Sequence, residues 1–88
     1  MDLNTLLEAV KIDLGIKTTA YDLRISQYIQ SAMKAIEIEG ISLDLNEMAD
    51  FQLVCQYAAW LWRKRDAGEG MPRSLRWLLN NRLFSEKV

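Results

Sequence analysis

Apolar residues recur every three to four positions along almost the whole chain, a spacing that predicts four helices. Leu3, Leu6, Leu7, Val10 and Leu14 share one face of a first helix over residues 3–14. Asp2 is placed to cap its free N–H groups, and Gly15 to end it. After a connector at 16–19, a second helix is expected over 20–39, capped by Thr18 or Thr19, with Asp22 at the positive end of its dipole. Tyr21, Ile25, Ile29, Ala32, Met33 and Ile36 form its apolar stripe, Leu23 and Ile38 point away from it, and Gly40 is the stop.

A short loop at 41–46, with Asp44 or Asn46 as the next cap, leads to a third helix over 47–65. This helix is apolar on two sides. Met48, Phe51, Val54, Cys55, Ala58, Leu61 and Trp62 make a broad face, and Ala49, Leu53, Tyr57 and Trp60 make a second. Such a helix is central in its domain, or its second side is covered by a partner. A turn at 66–70 precedes a fourth helix, with Pro72 in its first turn. Leu75, Leu78, Leu79 and Leu83 line one face there, and Trp77 and Phe84 the opposite one. No segment alternates with period two. The expected fold is all-α, a compact antiparallel bundle of about four helices, with helices 2 and 3 long and helices 1 and 4 shorter. It forms one domain over 1–88.

Eighty-eight residues hold a single core, and a domain this small often gains stability from disulfides, a metal or a partner. Cys55 is the only cysteine, so no internal disulfide forms, and with no histidine a tetrahedral zinc site has no ligand set. Partners are what remains. No apolar run approaches the roughly 20 residues that span a bilayer. The first segment carries acids and lacks an apolar stretch, so it does not read as a signal peptide, and synthesis in the cytoplasm is expected. The net charge is −1, unevenly distributed. Residues 1–50 hold nine acids and four bases (−5), and residues 51–88 hold seven bases and three acids (+4). An acidic half facing the basic half of a neighbouring copy, a basic half facing nucleic acid, and ordinary solvated helix faces are all compatible with this.

Catalytic chemistry finds little to work with. Without histidine there is no Ser-His or Cys-His pair and no imidazole base. Gly68 and Gly70 look like the start of a phosphate loop, but no Gly-Lys-Ser/Thr follows. Glu37, Glu39 and Asp44 read as solvated acids near a helix end, and Cys55 as a structural core thiol. No catalytic residue, cofactor or metal ligand is therefore expected.

Binding is better served. Trp60, Trp77 and Phe84 lie off the main core stripes, and aromatics concentrate at the centres of interfaces. With Leu53 and Tyr57 on the second apolar side of helix 3, they are the candidate protein-interface residues. The basic set Arg63, Lys64, Arg65, Arg73, Arg76 and Arg82 spreads over helices 3 and 4. Arg63, Arg65, Arg73 and Arg76 are the candidates for pairing with acids on a neighbour or for lining a channel. The competing reading is a small nucleic-acid-binding regulator that uses helices 3 and 4 as a helix-turn-helix, with Arg73, Arg76, Asn80, Asn81 and Arg82 as possible base readers. A helical adaptor or antitoxin-like module that binds one protein is a third.

Three stretches resemble the small head–tail connector (adaptor) proteins of tailed bacteriophages and prophages. Leu6-Leu7-x-x-Val10-Lys11-Ile12-Asp13 looks like the opening helix of that family. Asp22-x-x-Ile25-x-x-Tyr28-Ile29-x-x-Ala32-x-x-x-Ile36 is similar to its long second helix. Leu53-Val54-x-x-Tyr57-Ala58-Ala59-x-Leu61, leading to Arg65, resembles its central helix, and Met71-Pro72-x-x-Leu75-x-x-Leu78-Leu79-x-x-Arg82 its short C-terminal helix. The link between helices 2 and 3 is more compact here than in longer members. The resemblance implies a homo-oligomeric ring of about a dozen copies, joined head to tail, at the head–tail junction of the virion. The ring would dock under the portal protein, offer a surface to the next tail-completion protein, and let DNA pass without sequence-specific binding. No membrane is implied.

Overall fold

Four helices and no strands make up the described residues: α1 Leu3–Leu14, α2 Asp22–Ile38, α3 Met48–Ala67 and α4 Arg73–Lys87. The computed structural model describes residues 3–67 and 70–87, with side chains at all of them except 66, 67 and 87. The all-α bundle expected from the periodicity is the observed fold, and its helix order is the expected one.

The helix boundaries expose the local physics. Gly15 (φ +72°) and Gly40 (φ +106°) end α1 and α2 in backbone conformations that L side chains resist. Asp2, the expected cap of α1, lies outside the described residues. The cap expected for α2 is corrected. Tyr21 holds the N-cap position of α2 with no side-chain hydrogen bond, and Thr18 Oγ1 instead accepts the Ala20 N–H (3.2 Å) in the preceding turn. Before α3, Asp44 Oδ1 accepts the Asn46 N–H (3.0 Å), a local turn that competes with capping. The Glu47 carbonyl is the first acceptor of α3, taking the Phe51 N–H (3.0 Å). Pro72 stands just before α4 rather than within it, and its carbonyl accepts the Arg76 N–H (3.0 Å).

Leu6 and Val10 of α1, Ile25, Ile29, Ala32 and Ile36 of α2, Leu53, Val54 and Ala58 of α3, and Leu75 and Leu79 of α4 form one buried core. The smallest dimension of the molecule is 18 Å, which is two helix thicknesses. The centre belongs to α3, which packs on α1, α2 and α4. Edge-on ring contacts of Tyr21 and Tyr28 with Trp62 put the start of α2 at the end of α3, so these two helices run antiparallel. An ion pair between Asp50 and Arg82 joins the start of α3 to the end of α4, so that pair is antiparallel too.

Two charged fasteners complete the bundle. Lys11, on the buried side of α1, reaches Asp22 Oδ1 at 2.8 Å. That oxygen is shut off from solvent and has no hydrogen-bond partner among the described residues, so the ammonium is what compensates it. The second fastener is larger. Asp50 is 2 % exposed, accepts the Asp44 N–H (2.9 Å) through Oδ2, and receives Arg82 Nε at 2.7 Å on Oδ1. Arg82 also donates to the Ser42 carbonyl and to Glu86, each at 2.7 Å. One guanidinium thus ties α4, α3 and the 41–46 loop together.

Candidate functional site

The two apolar sides of α3 have different fates from those of α4. Leu53 is 2 % exposed and sits beside Leu78 and Arg82 of α4. Tyr57 and Trp60 are half-buried and stack edge-on with ring centres 5.5 Å apart. The Trp60 indole N–H donates to the Gly70 carbonyl (3.2 Å), and the Lys64 ammonium lies 4.8 Å above its ring. Burial raises the Tyr57 hydroxyl above its usual pKa, with Glu39 adding to the rise and Arg76 opposing it. The second side of α3 is therefore occupied within the chain, and Leu53, Tyr57 and Trp60 fasten α4 and its entry segment to α3.

Trp77 and Phe84 are placed differently. They are 65 % and 70 % exposed, on the side of α4 opposite Leu75 and Leu79. At 100° per residue, Arg73, Trp77, Asn80 and Phe84 fall within about 60° of arc, and the two rings stand about 10 Å apart along the axis. Arg73 and Arg76 are exposed and form no ion pair with a described residue. The inward-facing charges of α4 pair with each other or with α3, as Arg82 does with Glu86 and Asp50.

The four candidate arginines do not converge. Arg65 lies over the Trp62 ring, 4.0 Å from its centre, beside Tyr21, Arg24 and Tyr28 where α2 starts. Arg63 lines a recess with Asp13, Gln56, Trp60 and Pro72. Arg73 and Arg76 belong to the outside of α4. Among the described residues there is therefore one aromatic–basic helix face on α4 and two separate guanidiniums on α3, with no continuous basic stripe.

Between them, α1 and α3 leave a groove of about 400 Å³. Ala9 and Asp13 form one wall, Met48, Phe51 and Gln52 the other, and Cys55 lies at the base. Burial, with help from the Asp13 carboxylate, pushes the Cys55 thiol up to about 11, so it stays protonated and unreactive near neutral pH. Ile12, 79 % exposed, stands on the crest of α1 one turn from Ala9. No cluster of three or more metal-ligating side chains exists among the described residues, and none of their helices is long and apolar enough to cross a membrane.

Comparison with protein-family models, curated proteins and solved structures returns no significant match.

Sequence reasoning missed the Asp50–Arg82 fastener, grouping Arg82 with the basic set of helices 3 and 4 and with the possible base readers. A signal existed. Asp50 stands four residues before Val54 and eight before Ala58, inside a core stripe, while Arg82 continues the Leu75 and Leu79 stripe of α4. An acid and a base each placed on a buried stripe must find one another or stay unpaired.

Proposed function

We propose that this chain is a non-enzymatic assembly protein, a small head–tail connector of a tailed bacteriophage. Its copies would form a ring below the portal, lining part of the DNA channel and presenting a docking surface to the tail. The observation that carries this reading is the outer face of α4, where Trp77 and Phe84 are 65 % and 70 % exposed on a helix held to the domain by its other side. Large aromatics left in water on a rigid element are the usual anchors of a protein interface. The uneven charge of the two halves suits a head-to-tail contact, in which unlike patches meet. The sequence resemblance supplies the setting: synthesis in the bacterial cytoplasm and assembly at the head–tail junction of the virion.

The alternative, a nucleic-acid-binding regulator, loses ground at Arg82. Of the side chains of α4 that would read bases, this one is committed to Asp50, Ser42 and Glu86. Trp77 and Phe84 stand along the face that remains. A DNA channel needs passage rather than grip, so a strong basic stripe is not required of a connector.

The test is native mass over a concentration series with negative-stain images, alone and with portal protein. Rings with a central hole, of roughly a dozen copies, are expected alone or on the portal. A closed dimer at every concentration, with no portal binding, contradicts the reading. A steep loss of sequence-selective DNA binding with salt would favour the regulator instead.

A further inference from the structure

The outer surfaces of α1 and α4 are complementary. On α1 the only base, Lys11, is buried and paired with Asp22, so the exposed charges of the helix are Glu8 and Asp13, both negative. On α4, Arg82 is paired with Asp50 and Glu86, so the described charges left on the outside are Arg73 and Arg76, both positive. The apolar shapes match as well. One surface is a groove of about 400 Å³ walled by Ala9, Met48 and Phe51, and the other is a helix ridge carrying Trp77 and Phe84. The central helix α3 packs against both α1 and α4. The groove is lined by α1 and α3, and the ridge stands on the side of α4 away from Leu75 and Leu79, while Asp13 also borders the recess that holds Arg63 and Pro72.

We propose that the α1–α3 groove is the seat for the α4 ridge of a second copy of this chain. This rests on the connector reading and names the contact that joins neighbouring copies. Helix spacing sets the register. Asp13 lies one turn beyond Ala9, and Arg73 one turn before Trp77, each about 6 Å along its helix. A Trp77 ring seated over Ala9 and Phe51 therefore brings Arg73 to Asp13 when α4 runs antiparallel to α1. Phe84, about 10 Å further along, then reaches the Met48 end of the groove. Met48 itself is 65 % exposed, as expected of a soft apolar rim. Because ridge and groove are unlike surfaces, each seated copy presents a free ridge or a free groove to the next, and the contact propagates to a ring or a filament.

A charge-swap series read by sedimentation at low salt tests this. Wild type is expected to form oligomers. Asp13→Arg and Arg73→Glu should each shift assembly to at least about tenfold higher concentration, since like charges then face across the contact. An equimolar mixture of the two variants should assemble again, because every groove then finds a ridge of opposite sign, and the double variant should assemble on its own. Recovery in the mixture also shows that both variants are folded. If wild type forms rings and neither reversal weakens them, the groove is not the seat, although the connector reading stands. If the reversals weaken assembly but neither the mixture nor the double variant restores it, the pairing is wrong. Wild type that stays monomeric throughout overturns a second copy as the occupant, while portal binding measured separately still decides the connector reading.

Discussion

The two sides of α4 show how differently one helix can use the same residue types. Its inner side carries Leu75 and Leu79, 2 % and 1 % exposed, and an arginine with three protein partners. Its outer side carries Trp77 and Phe84, more than half exposed, and two arginines with no acid in reach among the described residues. The inner side holds α4 in place by burial and by a charge pair that leaves Asp50 compensated. The outer side leaves both rings mostly in solvent. A helix fixed on one side and unsatisfied on the other is a platform, and its rigidity lowers the ordering cost of any later contact.

That contrast makes graded predictions for single variants. The largest stability loss is expected from Arg82→Ala, which leaves the Asp50 carboxylate buried and uncompensated. Removing one partner of such a pair costs about 3 kcal/mol, and urea denaturation of the variant should show it. Arg73→Ala on the outer side should change stability by less than about 0.5 kcal/mol in the same titration. An Arg82→Ala protein as stable as wild type would mean that the inner fastener is not what holds α4.

Trp60→Phe comes next. It keeps a smaller aromatic ring but deletes the donor to the Gly70 carbonyl, whose hydrogen bond accounts for about 1 kcal/mol of the expected loss. Trp77→Phe should show no such loss, because the Trp77 indole has no described partner. This pair of substitutions separates a tryptophan fastened inside the chain from one standing in water.

Smaller effects follow from titration. Arg82, and then the Ser42 backbone, hold the Glu86 carboxyl below its usual 4.5. A depressed carboxylate stabilises the fold above its unfolded pKa, and that contribution is lost as pH falls through the lowered folded value. The end of α4 should therefore loosen only in acid, as pH falls below 4.5 and through the lowered value, where backbone amide exchange near Glu86 would report it. For Cys55 the sign is opposite. A thiol raised from 9.0 to about 11 favours the folded state fully below 9, and the benefit is lost as pH climbs towards 11. At pH 8, alkylation of Cys55 should be slow in the folded chain and fast in denaturant.

Much of this was legible in the sequence. The helix order, the breaks at Gly15 and Gly40, the exposure of Leu23 and Ile38, and the central place of α3 all follow from periodicity and backbone chemistry. The candidate site was only half legible. Trp60 and Trp77 look alike as letters, each an aromatic off the main stripe. Their fates diverge because the segment entering α4 passes beside Trp60 and offers it the Gly70 carbonyl, a tertiary event that no local spacing encodes. Lys11 and Asp50 drew no notice in the sequence for a related reason. Each is a charge on a buried stripe, and its partner lies in another helix, so neither looks satisfied until the helices are packed. Thr18 and Asp44 do not cap because of local competition, since each spends its side chain on a turn just before the helix it was expected to start.

The central claim is that the outer face of α4 serves assembly and not folding. Its most direct measurement compares wild type with the Trp77→Ala/Phe84→Ala double variant, following thermal melting by circular dichroism and native mass with and without portal on the same samples. The account predicts a melting curve unchanged within about 0.5 kcal/mol of stability, together with loss of rings and of portal-bound rings. A variant that loses helicity, or one that melts normally and assembles as wild type does, contradicts it.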